Sequence, residues 1–235
     1  MLKKVASKPS LKPIAKRSVE DLTTEVIRAE ILSGALRSGS RLTEMQLSGQ
    51  LEVSRATIRT ALHQLVSEDL VVQVPYTGWM VASLTAEDAW ELYTLRGSLE
   101  SLGARLAARN LTVEGRRDIE EALAGLRRTA RRKSAADIAE ADFAFHKQII
   151  LLARHVRLTR QYNLVEQQVR LSILSSNALL GDLTSVVAQH EPIAQAILNG
   201  SADEAARLAE AHNHSEGEKL VSHLRRAQIL LVGTA

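Results

Sequence analysis

Between Leu42 and Leu70 the chain reads LTEMQLSGQLEVSRATIRTALHQLVSEDL, and few folds are open to such a segment. Thr43 is placed to cap a short helix, with Gln46 three residues on at capping-box spacing and Leu47 and Leu51 facing inward. Glu52 and Val53 make a tight turn, and Ser54 caps a further helix whose apolar stripe is Ile58, Ala61, Leu62, Leu65 and Val66. Two capped helices around so short a turn form a helix-turn-helix, with Ser54, Arg55, Thr57 and Arg59 opening its second helix.

The flanks extend this unit. Helical periodicity runs from Val19 through Leu22, Val26, Ile27 and Ile31 to Ser33, where Gly34 is a good stop, and Ser38, Gly39 and Ser40 read as a turn. After Leu70 the pattern becomes β-rich: VVQV, a turn at Pro75 to Gly78, then WMVA. Two strands directly after a recognition helix make a wing, which Trp79 is expected to pack onto that helix.

From Thr85 onward helical patterns dominate. Helices are expected near 85–109, 112–132, 134–153, 156–177, 183–199 and 201–231, broken at Asn110 with Thr112, Ser134, Arg154 to Arg157, Gly181 with Asp182, and Asn199 with Gly200. Six helices with short connections predict an antiparallel bundle. The expected fold is therefore mostly α: a basic disordered arm over 1–17, a winged helix-turn-helix over 18–82, and an all-helical domain over 83–235. A composition 45% hydrophobic and only 3% aromatic suits helices packed through Leu, Ala, Ile and Val.

Charge placement sharpens the reading. The first seventeen residues carry Lys3, Lys4, Lys8, Lys12, Lys16 and Arg17 without an acid, and lack the apolar block of a secretory signal. Residues 1–82 hold 11 Lys/Arg against 8 Asp/Glu, whereas the remainder is balanced, so the net charge of +3 resides in the first third. Since the arm contributes six of those bases, the unit from Ser18 to Ala82 is net negative. It must grip DNA through a few placed side chains, helped by the arm. The chain has no cysteine, which fits a reducing cytoplasm, and no apolar run approaches the ~20 residues needed to span a bilayer; a cytoplasmic location without membrane contact is expected.

A recognition helix enters the major groove N-terminal turn first. Arg55 and Arg59, four apart, share a face and suit bidentate contact with guanine O6 and N7; Thr57 suits a phosphate or a thymine methyl, and Ser54 a phosphate. The plainer alternative is two arginines solvating a surface helix, against which stand the capped turn before them and the wing after. In the wing, Gly78 is placed to take a left-handed conformation and let the hairpin close against the minor groove, or is an ordinary hairpin glycine.

At this point the chain resembles the GntR family of bacterial regulators. The family pattern I-x-x-G-x-L-x-x-G-x-x-L-x-E-x-x-L-A-x-x-L-x-V-S-R-x-x-V-R-x-A-L-x-x-L-x-x-x-G-L-V is met by ILSGALRSGSRLTEMQLSGQLEVSRATIRTALHQLVSEDLV. The chain departs from it at Met45, where many members place a DNA-contacting Arg, at Ala56 with Thr57 for a common Thr-Pro, at Thr60 for Glu, and at Asp69 for Gly. Operator preference is therefore not transferable from relatives.

In the helical part, Asp142 and His146 lie four apart in EADFAFHKQII and so share a face. His190 is expected on the next-to-last helix and His212 on the last. One carboxylate and three imidazoles from three helices can converge on a divalent ion with positions left for water or a ligand, although singly each His is more often a surface or satisfied core residue. The arrangement resembles the FCD effector domain of the FadR subfamily: R-x-x-L-E is met by Arg96, Leu99 and Glu100, D-x-x-F-H by DFAFH, and H-x-x-I-x-x-A-I by His190, Ile193, Ala196 and Ile197, with His212 on the last helix. A six-helix count looks like the VanR type. The resemblance implies a divalent metal, Zn²⁺ with Ni²⁺ or Mn²⁺ as alternatives, on Asp142, His146, His190 and His212, and a small organic acid as effector. Arg96 is the first candidate to pair with its carboxylate and Arg170 the second, unless each is a structural ion pair, Arg96 with Glu100 being the obvious one. The family usually has Gly-Asn where this chain has His155 and Val156.

The expected function is a homodimeric, ligand-responsive regulator, a repressor released by an organic acid, on a palindromic double-stranded operator. A metal-dependent hydrolase fused to a DNA-binding domain would need a general base beside a bound water; there is no HExxH, and Glu140 lies two residues from Asp142 on another helix face. A bundle serving only for dimerisation is the other alternative. The basic run Arg127, Arg128, Arg131, Arg132 and Lys133 reads as a solvated face complementing a helix dipole.

Overall fold

The computed structural model describes residues 17–131, 134–180 and 182–232, so the expected arm, Arg132, Lys133 and Gly181 lie outside the described residues, save Arg17. The winged part comprises α1 (Val19–Leu32), β1 (Arg41–Leu42), α2 (Glu44–Leu51), α3 (Arg55–Ser67), β2 (Val71–Val74) and β3 (Gly78–Val81). Each helix begins where a side chain can replace a missing backbone partner. Ser18, Thr43 and Ser54 accept from the backbone N–H three residues on, and Ser18 forms a full capping box with Asp21. At Thr43 only half of the expected box is present. Glu52 turns the chain between α2 and α3 with φ 54°.

The sheet is antiparallel in the order β1-β3-β2. Its first strand lies where only a turn and a cap were expected: Arg41 pairs with Met80 and Leu42 with Trp79, because Leu42 must be buried beside the wing. Ile58, Ala61, Leu62 and Leu65 of α3 are wholly buried among Ile27, Ile31, Leu47, Leu70, Val71 and Val81. Burying each of the larger aliphatic side chains contributes about 1.5–3 kcal/mol. Trp79 packs edge-on against His63 of α3, ring centroids 4.8 Å apart, which fixes the wing to that helix.

The remainder comprises α4 (Ala86–Arg109), α5 (Val113–Ala130), α6 (Ala135–Leu152), α7 (Val156–Leu164), α8 (Glu166–Asn177), α9 (Thr184–Leu198) and α10 (Ala202–Val232). Among the described residues there are thus seven helices rather than six. The segment expected to run unbroken over 156–177 divides at Val165, whose N–H bonds back to Tyr162 O in a tightened turn before a new ladder starts with Val169 N to Val165 O. The break lets both Tyr162 and Val169 be fully buried.

Close approach of α4 and α10 positions the interior polar residues. A Cβ built at Gly217 would lie 2.8 Å from Tyr93 Cβ, so only glycine allows these helices their separation. Helix α8 joins the two parts: Leu171 is buried in the core of the winged part, Gln168 donates to Asp69 at the end of α3, and Asn177 at the far end of the helix is buried in the bundle. No described helix is long and apolar enough to cross a membrane.

Candidate functional site

Four predicted residues from three helices meet in the bundle. Asp142 and His146 project from one face of α6, His190 from α9 and His212 from α10; the first three are buried and His212 half-buried. One ligand nitrogen from each histidine lies within 4.8 Å of the others. The rings of His146 and His212 are stacked with centroids 5.2 Å apart, and that of His190 stands edge-on to both.

The hydrogen bonds decide what this cluster can hold. His190 Nδ1 is 2.6 Å from the Val186 carbonyl, which can only accept, so Nδ1 carries a proton and Nε2 is turned into the cluster. His146 Nδ1 lies 2.8 Å from Glu100 Oε2, and its Nε2 faces His190 Nε2 at 2.9 Å. Asp142 Oδ1 is 3.2 and 3.1 Å from these two Nε2 atoms yet has no hydrogen-bond donor, while its Oδ2 accepts from Asn177 Nδ2 at 3.0 Å. Two facing imidazole Nε2 atoms and a buried carboxylate oxygen so close together are stabilised by a positive centre between them, either a proton or a metal cation.

Electrostatics agree. Burial would raise Asp142, but His190 and His146 hold it well below the usual carboxylate range. Burial would lower His146, but Glu100 outweighs that and raises it. His212 is pushed well below the ordinary imidazole value by burial and by the charges of His190 and His146, so it offers a neutral, ligand-competent ring.

Glu100 organises the surroundings. Although fully buried, it accepts from Arg96 Nε at 2.7 Å, Tyr162 OH at 2.9 Å and Asn213 Nδ2 at 2.8 Å. Burial would raise its carboxyl, yet Arg96 and His146 hold it below the usual range. Arg96 is also fully buried, and its Nη2 has no partner, as is true of Asn213 Oδ1. A buried guanidinium with one satisfied nitrogen and one free is therefore both the structural ion pair and an anion-seeking donor.

The structure does not bring Arg170 to this cluster. Its guanidinium lies over the Phe143 ring at 3.7 Å and pairs with Glu140 and Glu166, drawn to the outer face of α6 by two carboxylates. Tyr162, Asn177 and Asn213 also belong to the site, and so does Glu100, expected only as a structural ion-pair partner of Arg96. Glu100 alone carried a signal, its place in the R-x-x-L-E motif. His214, two residues from His212, is exposed and packs edge-on against Trp90.

In the winged part, Ser54, Arg55 and Arg59 are exposed at the start of α3 and Thr57 is half-buried. Ser54 Oγ caps Thr57 N at 3.1 Å and also touches Thr57 Oγ1 at 3.0 Å. Arg55 forms no ion pair among the described residues, whereas Arg59 is held in a bidentate pair by Glu44, Nε to Oε1 2.9 Å and Nη2 to Oε2 2.8 Å. Glu44 Oε1 accepts Trp79 Nε1 as well, at 3.3 Å, so one carboxylate links α2, α3 and the wing; the Arg59 bond holds its own ionisation below the usual range. Gly78 has the expected positive φ, at 105°, but within the β2–β3 hairpin the residue nearest the left-handed helical value is Tyr76, at 61°. Of the basic run, Arg127 and Arg128 pair with Glu191 and Glu121 at the surface.

Comparison with known proteins places this architecture. Residues 22–81 match the gntR family of bacterial regulatory proteins, and residues 91–215 match the FCD domain. The chain is 26% identical over 203 residues to a probable D-xylose utilization operon transcriptional repressor of Paenarthrobacter nicotinovorans, covering 86% of this chain and 88% of the relative. It is 28% identical over 150 residues to the gluconate operon transcriptional repressor of Bacillus licheniformis, covering 64% and 61%. The fold is shared with a putative transcriptional regulator GntR from Rhodococcus sp. RHA1, with TM-score 0.75, 24% identity and 86% and 97% of the two chains covered. It is shared too with E. coli McbR/YncC, with TM-score 0.74, 18% identity and 88% and 99% covered. With a DNA-reading winged unit joined to a bundle whose buried polar cluster suits a ligand, the chain belongs to the GntR family of bacterial regulatory proteins with an FCD domain, and is a ligand-responsive, DNA-binding transcriptional regulator rather than an enzyme.

Proposed function

We propose that this regulator is a homodimeric repressor of the FadR subfamily, released from a palindromic operator by a small organic acid bound at a metal site in its helical domain. The observation that carries the reading is the convergence of His146, His190 and His212 beside the donor-less Oδ1 of Asp142. This donor set fits a divalent cation, Zn²⁺ first on its nitrogen-rich composition and Ni²⁺ or Mn²⁺ after it. A cation held there would supply open positions that a carboxylate can fill. The chain's own part is to aim the ligands: Glu100 orients His146, Val186 fixes the His190 tautomer, and Asn177 holds Asp142. Arg96 Nη2 is the free donor for an effector carboxylate. Relatives named for gluconate and D-xylose utilization operons support a polyhydroxylated acid or sugar-derived effector.

On the DNA side, Arg55 and Arg59 read base edges, Ser54 and Thr57 position the helix on phosphates, and Gly78 shapes the wing. Two such helices in a dimer must lie about 34–36 Å apart to enter successive major grooves. Helix α8 is the route between sites, since it carries Asn177 beside Asp142 at one end and Leu171 and Gln168 against the winged part at the other. An effector that binds one placement of α8 more tightly shifts operator affinity by that difference.

Three measurements test the reading. Elemental analysis should find about one divalent ion per chain, much reduced in His212→Ala; equal metal in both proteins removes His212 from the ligand set. In gel-shift titrations Arg59→Ala should lose operator preference while keeping weak, salt-sensitive binding. A panel of sugar acids and dicarboxylates should weaken wild-type binding but not that of Arg96→Gln; no response to any acid would leave the bundle as a dimerisation platform.

A further inference from the structure

The wing ends in a residue that the fold does not need. In the β2–β3 hairpin Val74 pairs with Gly78, leaving Pro75, Tyr76 and Thr77 as the loop, closed by Thr77 N to Val74 O at 3.1 Å. Loops of this length place a residue in the left-handed region, where glycine is favoured because a Cβ is strained there. Here that residue is Tyr76, at φ 61°, and a bulky side chain at positive φ is an outlier.

The ring gains nothing from the fold in return. Its relative exposure is 110%, and no hydrogen bond, ion pair or ring contact involves it among the described residues. Glycine or asparagine would hold the same turn with less strain. Strain kept without a compensating contact points to a partner outside the chain. The ring also borders the cleft lined by Glu44, Arg59, Gln73, Gly78 and Trp79, on the face that presents the reading helix.

We infer that Tyr76 is a sequence-determining contact to the minor groove beside the half-site, donating its phenol O–H to the acceptors that A·T pairs expose there. With α3 in the major groove, the wing tip meets the adjoining minor groove. A·T and T·A pairs both present A N3 or T O2 acceptors, while G·C pairs add the G N2 amino donor, which blocks the approach. Tyrosine meets this pattern with a hydroxyl at the end of a rigid ring, whose faces pack along the sugar walls. The inference rests on the DNA-reading assignment above.

The test uses the full chain and a randomised duplex pool. Wild-type protein selects a preferred site, and the flanking positions are then synthesised as A·T, G·C or inosine·C, the last keeping the major-groove pattern of G·C while lacking the N2 amino group. Wild type should bind the G·C duplex about three- to tenfold more weakly, the scale of one hydrogen bond, and inosine·C should restore affinity. Tyr76→Phe and Tyr76→Gly should bind all three duplexes alike, and Tyr76→Gly should unfold no earlier than wild type. Retained discrimination in Tyr76→Phe, or an earlier unfolding of Tyr76→Gly, overturns the inference. If wild type selects no site, the DNA-reading assignment itself falls; if it selects a half-site that Arg59→Ala loses, but shows no flanking preference, only the role of Tyr76 falls.

Discussion

The two ends of this chain solve opposite problems with the same side-chain chemistry. In the bundle, Arg96 and Glu100 are an arginine–glutamate pair sealed from water, with three further polar groups converging on the carboxylate. On the reading face, Arg59 and Glu44 form a pair of the same type, but the guanidinium is more than half exposed. The buried pair fixes a shape, because leaving either charge alone inside costs several kcal/mol. The exposed pair adds little stability, because water can replace either partner, and under the proposed function Arg59 exchanges this carboxylate for a guanine or a phosphate. Burial, rather than the residues, decides whether such a pair is locked or exchangeable.

The largest effect is expected of Glu100→Ala. Arg96, Tyr162 and Asn213 then lose their acceptor together, and the protein should lose about 3–5 kcal/mol of stability in denaturant unfolding. A loss below about 1 kcal/mol would mean that water enters the cluster and that the two pairs are alike. An intermediate effect is expected from Gly217→Ala, whose Cβ would press on Tyr93. It should cost about 1–3 kcal/mol and, by moving α10 with His212 away from α4, weaken metal retention in a chelator competition; lost stability with unchanged metal affinity would uncouple the packing from the site. The smallest effect on folding belongs to Glu44→Ala, which should leave the unfolding midpoint nearly unchanged. Its consequence lies on DNA: without the carboxylate to orient Arg59 and Trp79, discrimination between selected and random duplexes should fall while non-specific affinity rises. Unaltered discrimination would show that Glu44 does not position Arg59.

Legibility followed the range of the interactions. Thr43 and Ser54 were readable as caps because the cap and its backbone partner are three residues apart, and Asp142 with His146 as a pair because one helical turn separates them. The hairpin and the packing of Trp79 were readable from alternation next to a turn. Strand β1 was not, since two residues carry no periodicity and Leu42 is a strand only because β3 lies beside it. The division at Val165 was hidden as well, because no Gly or Pro marks it and the demand comes from burying both Tyr162 and Val169. Arg170 was misplaced for the same reason: position in a helix does not say which carboxylates will draw the side chain outward.

The order of helices and hairpin and the caps that start them are written in contacts a few residues long, and so are legible before any folding. Long-range packing makes Glu100 the hub, leaves one Arg96 nitrogen free, and sets α8 against both the winged part and the polar cluster. Asn213 reaches Glu100 across 113 residues of chain, and Tyr162 across 62. No local pattern encodes such pairings, because burial in a shared interior selects the partners once the helices have packed.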